Sequence, residues 1–422
     1  MKSVFVCAAI LITLAVAGVA PARSQQGKLD LLIRGGHVID PKNGINAPMD
    51  VGIAAGKIVE VAARIDPPRS ARVADATGLY VVPGLIDIHT HVFYGTDNTY
   101  LSNGHVAVQP DAHGPHAGVT TVVDAGGAGW RNFDQFKTNI IDRSLTRVLS
   151  FINIVGSGMK GGPFEQDLTD MNASLTAMRV REHPGVIVGV KTAHYRGPEW
   201  DAVDRAVEAG RLADVPVMVD FGAFRAERPY DDLVSKRLRP GDISTHTYLG
   251  AAPTLDDNGK VRTYLFEAQK RGIVFDVGHG SGSFWYSKAE PLTAQGFWPD
   301  TISTDLHAES MIRGMKDMSN VMSKFLNLGM TLQDAIAKST WKPAQVIKRP
   351  DLGHLGVGAP ADVTVLRLHR GTFGFIDVRG GRKTGTQKLE AELTVREGRI
   401  VWDLNGMSSV NWQDLPAGRT RQ

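Results

Sequence analysis

Cysteine is nearly missing: the 422-residue chain has one, Cys7. One cysteine excludes a disulfide framework, and once the N-terminal segment that holds Cys7 is removed, as expected below, a thiolate metal site is excluded too. Any metal must be held by His, Asp, Glu or a modified Lys. An excess of one charge is missing as well. There are 47 basic and 44 acidic side chains, for a formal net charge of +3, and no lysine- or arginine-rich run. That balance argues against a nucleic-acid partner or an anionic membrane surface. No low-complexity tract or short repeat points to a solenoid. What remains is ordinary for a soluble globular protein: 42% hydrophobic and 22% charged residues. The length suits two or three domains, or one large barrel with an appendage.

The one long apolar run is at the N-terminus. "MKSVFVCAAILITLAVAGVAPARSQQ" places Lys2 before a run from Val4 to Ala20, then small residues and a polar exit. This is the layout of a secretory signal peptide, with Ala20-Pro21-Ala22 as a cleavage pattern. Residues 1–24 are expected to be removed on export to the periplasm or the outside, taking Cys7 with them. No stable membrane association is expected afterwards. An uncleaved anchor is the alternative, since a run of about 17 residues meets the lower limit for a span.

Two β-rich segments lie at opposite ends of the chain. "DVGIAAGKIVEVA" near the start and "ELTVREGRIVWDL" near the end share a strand–Gly turn–strand pattern. Residues 28–82 and 353–404 are expected to form one composite β-sandwich, followed by a tail at 405–422. Between them, 83–352 alternates strand and helix patterns. Strand candidates open at "VVPGLIDIHTH" and recur at 118–126, 147–156, 185–193, 215–222, 241–248, 272–280 and 299–307. "WDAVDRAVEAGRLA" and "RTYLFEAQKRG" are helical patterns between them. Eight such units are the count for a closed (β/α)₈ TIM-like barrel.

In such a barrel the chemistry sits at the C-terminal strand ends, and these ends are polar here. The first ends in His89 and His91, the fourth in Lys191, the fifth in Asp220, the sixth in His246, the seventh in His279 and the eighth in Asp305. Residues i and i+2 of a strand share a face, so His89 and His91 can grip one ion. A lone histidine at a strand end is more often structural. The HxH pair with His246 and Asp305 favours a metal. His105, His113 and His116 read as loop or lid residues. "GHGSGS" (278–283) reads as a Gly-rich active-site loop rather than a phosphate cradle, because no P-loop lysine follows. Lys191 ends an apolar strand, where a bare cation is costly. Burial favours its neutral amine, which can add carbon dioxide to form a carbamate. An ion pair with Asp220 or Asp305 is the competing reading.

"PGLIDIHTH", "VGVKTAH", "STDLH" and the C-terminal "STWKPAQVIKRPDLGHLGVGAPADVTVL" together resemble the amidohydrolase superfamily over about residues 28–405. Within it, the chain looks most like the amidohydrolase/deacetylase branch related to dihydroorotase and D-aminoacylase. The resemblance implies that His89, His91 and Asp305 hold one metal. It implies that carbamylated Lys191 bridges to a second, completed by His246. Asp220 stands where the family usually has a histidine, and it is expected to keep a ligand role. Two Zn²⁺ ions are implied, with Mn²⁺ as the alternative. Hydroxide bridging the two would attack the carbonyl, with Asp305 as proton shuttle. His279 is a candidate contact for the substrate carbonyl, and Arg196 for a substrate carboxylate.

The implied function is a secreted metal-dependent hydrolase of amide or ester bonds in small molecules. N-acyl amino acids are the favoured substrates. Cyclic amide hydrolysis of the dihydroorotase or hydantoinase type comes next, then nucleobase deamination, then a non-catalytic metal-binding relative. A homo-oligomer is compatible with the sequence.

Overall fold

The computed structural model describes residues 28–94 and 106–415. The expected signal segment, His105 and the end of the C-terminal tail lie outside the described residues. Five strands open the fold: β1 (Leu31–Asp40), β2 (Ile45–Ala54), β3 (Lys57–Ala62), β4 (Val73–Asp75) and β5 (Tyr80–Pro83). Seven parallel strands follow, each paired with the next in chain order. They are β6 (Leu85–Thr90), β7 (Val119–Gly129), β8 (Arg147–Asn153), β9 (Ile187–Thr192), β10 (Val217–Val219), β11 (Ile243–Ser244) and β12 (Val274–Phe275). Three antiparallel strands close the chain: β13 (Val363–Ile376), β14 (Arg382–Arg396) and β15 (Arg399–Asp403).

The first and last groups make one eight-stranded sheet, ordered β15-β14-β13-β5-β1-β2-β3, with β4 on β1. The two chain ends meet where β5 pairs antiparallel with β13, Val81 opposite Val365. Burial drives this closure. Leu31, Ile33, Val38, Val51, Val81, Val363, Val365, Leu393 and Val395 form one apolar cluster that neither end can build alone. The sheet is tied to the seven-stranded unit by Thr364 Oγ1, which donates to Gly118 O (2.6 Å), and by Thr394 Oγ1, which donates to Pro115 O (2.7 Å).

The parallel strands curl into a (β/α)₈ barrel, but the eighth stave differs from the sequence expectation. Segment 299–307 forms no regular ladder. It joins its neighbours by single bridges, Asp276 with Thr301 and Thr90 with Leu306. The cause is local: Asp305 has φ 52°, and left-handed backbone cannot continue a strand. Hydrogen bonds still close the circle, from Gly280 N to Thr304 O (2.9 Å) on one side and from His91 N to Leu306 O (2.8 Å) on the other.

The barrel's interior is apolar lower down, with Ile86, Ile88, Val123, Leu149, Phe151, Val188, Met218 and Ile243 packed together. Its outer surface is covered by helices such as Asp201–Ala213, which buries Ala202, Val203, Ala206, Ala209 and Gly210 at helical spacing. Among the described residues, no helix is long and apolar enough to cross a membrane.

Candidate metal centre

Simple alternation does not explain how His89 reaches the barrel mouth. Ile86 and Ile88 occupy the interior, so a regular strand would turn His89 outward. The β6–β7 register slips by one residue between Asp87 and Thr90: Asp87 faces Val122, but Thr90 faces Asp124. That extra residue is a bulge, which re-aims a side chain. β9 carries another: Ser150 and Phe151 are adjacent on β8, yet face Ile187 and Gly189. Through it, Lys191 follows Val188 into the interior.

The result is a cavity of about 340 Å³ whose lining includes His89, His91, Lys191, Asp220, His246 and Asp305. Ring nitrogens of His89 and His91 and a carboxylate oxygen of Asp305 lie within 4.8 Å of one another, all on buried residues. Asp305 Oδ1 is 2.9 Å from His91 Nε2 and 3.6 Å from His89 Nε2.

The protein fixes the ring orientations from behind. His89 Nδ1 is 3.0 Å from Thr245 Oγ1. That hydroxyl donates to Asp276 Oδ2 at 2.8 Å, so His89 Nδ1–H is the donor to Thr245. Asp276 also accepts from Thr301 and Ser303. His246 Nδ1–H donates to Gly278 O at 2.7 Å. Both rings therefore turn Nε2 toward the centre, as metal-ligating imidazoles do when their other nitrogen is held by a partner; at His246, against burial, the Asp220 carboxylate 3.3 Å from Nε2 raises the pKa. Burial, then the charge of Lys191, brings the His89 pKa down to about 3. Burial alone would raise the Asp305 carboxyl, but His89 and His307 hold it well below the usual carboxylate range.

Lys191 is fully buried. Its Nζ lies 3.1 Å from His89 Nε2 and 3.5 Å from Met218 Sδ. Among the described residues, no carboxylate oxygen comes within 4.0 Å, so the competing ion pair with Asp220 or Asp305 does not form. Burial lowers its pKa from the usual lysine value. A buried cation without a close anion is costly. Together with the partnerless buried His91 Nδ1, this is a donor set suited to a divalent metal and to a lysine converted into an anion.

Strain gathers here. His194, His246 and Asp305 have φ of 58°, 62° and 52°. Such backbone costs about 1–3 kcal/mol per residue and persists where the surroundings hold it in place. The Gly-rich loop 278–283 lines the cavity with Ser281, Gly282 and Ser283. Its Gly280, at φ 55°, backs onto the carboxylate: a Cβ there would sit 2.3 Å from Asp305 Oδ2. Gly280→Ala should displace Asp305 and lower kcat about 100-fold, the effect of a misplacement near 1 Å. Unchanged turnover and metal content would contradict this contact.

Two expected site residues are elsewhere. His279 is fully buried beside the cavity and is not part of its lining. Its Nδ1–H donates to Gly280 O at 3.0 Å, and its Nε2 accepts from Lys324 Nζ at 2.6 Å. Both nitrogens are used, and the ring stacks on Phe284 with 4.6 Å between centroids, so no substrate carbonyl can reach it. Arg196 is exposed outside the cavity, because the chain turns away after His194. His113 and His116 also lie outside the lining; His116 packs against Trp402, 6.1 Å between ring centroids.

The sequence reading missed three residues. His194 lines the cavity, with Nε2 3.0 Å from Asp220 Oδ2. His307 lines the opposite wall, with Nδ1–H donating to Asp305 O at 2.8 Å and Nε2 3.2 Å from Ser281 Oγ. Both sit two or three residues after a strand-end candidate, inside the quoted "VGVKTAH" and "STDLH", and that spacing was the available signal. Glu165, buried behind His194, lies in a connecting segment and had none.

With the geometry in hand, the relatives are informative. Residues 287–400 match the amidohydrolase family profile. A deacetylase of Agrobacterium fabrum is 33% identical over 326 residues, covering 74% of this chain and 76% of its own. A crystal structure of an adenine deaminase superposes with TM-score 0.80 at 27% identity, covering 89% of this chain and all of its own. A crystal structure of a dihydroorotase gives TM-score 0.76 at 28% identity, covering 88% and 99%.

Proposed function

The chain belongs to the amidohydrolase superfamily, and from that premise we propose that it removes the acyl group from N-acyl amino acids or related acylated small acids. That it is a metal-dependent hydrolase acting on carbon–nitrogen bonds of small molecules follows from the family. The substrate class, the site roles and export are our reading.

The observation that carries it is the convergence of His89, His91 and Asp305 within 4.8 Å at the floor of a small cavity. We assign these three to one metal position, and Lys191, as its carbamate, with Asp220 and His246 to a second. Zn²⁺ suits these nitrogen and oxygen donors, with Mn²⁺ as the alternative. When bound, a divalent metal polarises a scissile carbonyl and lowers the pKa of water.

The side chains supply the rest. Asp305 is ionised, and its Oδ1 faces the cavity between the two imidazoles. It takes a proton from the attacking water and returns it to the leaving nitrogen, so one carboxylate serves as base and then acid. The Thr245–Asp276 pair keeps His89 in one tautomer throughout. His307 and Ser281 offer polar contacts for the substrate's acid group from the cavity wall, in the role first given to Arg196. The cavity volume, near the low end of the range for small-molecule sites, favours a compact substrate.

The relatives keep two other readings in play: a cyclic amide, as dihydroorotase would take, and adenine. Metal-reconstituted enzyme should be assayed against N-acetyl amino acids, simple esters, dihydroorotate, hydantoins and adenine. We expect the highest kcat/KM on an N-acyl amino acid. A preference for a cyclic amide or for adenine would overturn the assignment. No turnover on any compound with metal bound would favour a non-catalytic relative. Export is tested by the N-terminal mass of protein from the native envelope: an intact Met1 would refute removal of 1–24.

A further inference from the structure

We infer that His194 supplies, from the loop after β9, the imidazole that the end of the fifth barrel strand lacks. The second metal position is then formed by Lys191, His194, Asp220 and His246. This rests on the metallohydrolase reading above and adds a ligand to it.

Asp220 is the starting point. Its Oδ2 stands between two imidazoles, 3.0 Å from His194 Nε2 and 3.3 Å from His246 Nε2. Two donors on one tetrahedral metal, each bonded at about 2.0–2.1 Å, keep about 3.3 Å between them. Asp220 Oδ2 has about that spacing from each imidazole, while the two ring nitrogens stand on either side of it and would close in on a bound ion.

His194 is built for this place. Its Nδ1 lies 3.0 Å from Glu165 Oε2, a carboxylate on a residue only 2% exposed. A carboxylate behind one ring nitrogen fixes the imidazole so that the other faces the ion. The backbone is pinned as well. His194 has φ 58°, and Gln166 Nε2 donates to its carbonyl at 2.9 Å. The loop after β10 presses on it: a Cβ at Gly222 would lie 2.7 Å from the His194 carbonyl carbon. Glycine at 222, two residues after Asp220, is what lets the two loops approach closely enough for His194 to meet the carboxylate. A histidine serving only as a surface ion pair would need neither a buried Glu165 nor a left-handed backbone.

The fifth strand thus contributes a short carboxylate where a longer imidazole would reach the metal directly. The neighbouring loop returns an imidazole to the same space. The two departures compensate, which yields a prediction about metal content independent of turnover.

The experiment counts Zn²⁺ per full-length chain after chelator treatment and reloading, and records the visible spectrum of the Co²⁺ form. Wild type should hold two ions. His194→Ala should hold one, lose part of the Co²⁺ spectrum and keep its Tm. Adding Asp220→His to His194→Ala should restore the second ion, because it places an imidazole on the fifth strand. Glu165→Gln, which leaves His194 in place, should weaken the second ion about 10–100-fold; it carries the test if His194→Ala fails to fold. Two ions of unchanged affinity and an unchanged Co²⁺ spectrum in both single variants would overturn the inference. One ion in wild type and in His194→Ala alike would also overturn it, while leaving the hydrolase reading on His89, His91 and Asp305 intact. Wild type that binds no ion would overturn both.

Discussion

Asp305→Asn is expected to lower kcat by about 10²–10⁴-fold while metal content stays near that of wild type. The range is the usual contribution of a positioned general acid–base group. Asparagine keeps an oxygen directed at His91 and His89, now at 2.9 and 3.6 Å from Asp305 Oδ1, but it cannot accept the proton. The loss should fall on kcat more than on KM, because the proton moves in the transition state and not on binding. Parallel metal analysis separates loss of the base from loss of the site. Near-normal turnover at matched metal content would remove Asp305 from the mechanism and reopen the non-enzymatic reading.

Lys191→Ala should cost more than about 100-fold in kcat/KM. Loss of residues that merely orient a ligand costs about 10–100-fold, and loss of a ligand itself exceeds that. Formate, acetate or propionate should restore part of the activity by placing a carboxylate in the space the side chain vacates. That space is real: Lys191 is fully buried, and among the described residues its Nζ hydrogen-bonds only to His89 and Met218. A lysine acting only as a cation would not be replaced by an anion. Rescue by methylamine and not by acetate would therefore refute the carbamate. So would an unmodified ammonium at Lys191 in a crystal structure of active, metal-loaded enzyme.

The environment also makes these effects separable. His279 and Lys324 sit next to the site and are strongly perturbed, yet they serve the fold. Burial brings Lys324 to a pKa of about 7, and its Nζ donates to Gly314 O (2.6 Å) and Ile376 O (2.8 Å) as well as to His279. These bonds tie the segment before β14 to the barrel. A perturbed group beside an active site is not thereby part of it; position relative to the cavity decides.

Much was legible in the chain alone. Strand ends rich in His, Asp and Lys pointed to the barrel mouth, because successive strand ends of a barrel open on one face and several ligand-type residues there can converge. The matched strand–Gly–strand patterns at the two ends anticipated a shared sheet, since each needs an apolar partner surface. The single cysteine lies far from the site candidates, in the N-terminal segment expected to be removed, which left nitrogen and oxygen donors for any metal. Other features depended on tertiary contacts. Side-chain direction at His89 is set by a bulge in β6, and a one-residue slip reverses every following side chain; periodicity cannot register it. The eighth stave lost its ladder to the left-handed backbone at Asp305. His279 occupies a strand-end position by sequence but was captured by Lys324 from a helix 45 residues away. Arg196 follows Lys191 closely in sequence and still faces solvent, because the chain reverses at His194. That same reversal brought His194 against Asp220 and Glu165. Sequence determines which residues are available to the site, through local pattern and composition. Which of them face one another is decided by bulges, positive-φ turns and loop-to-loop packing, whose energies depend on contacts between distant segments.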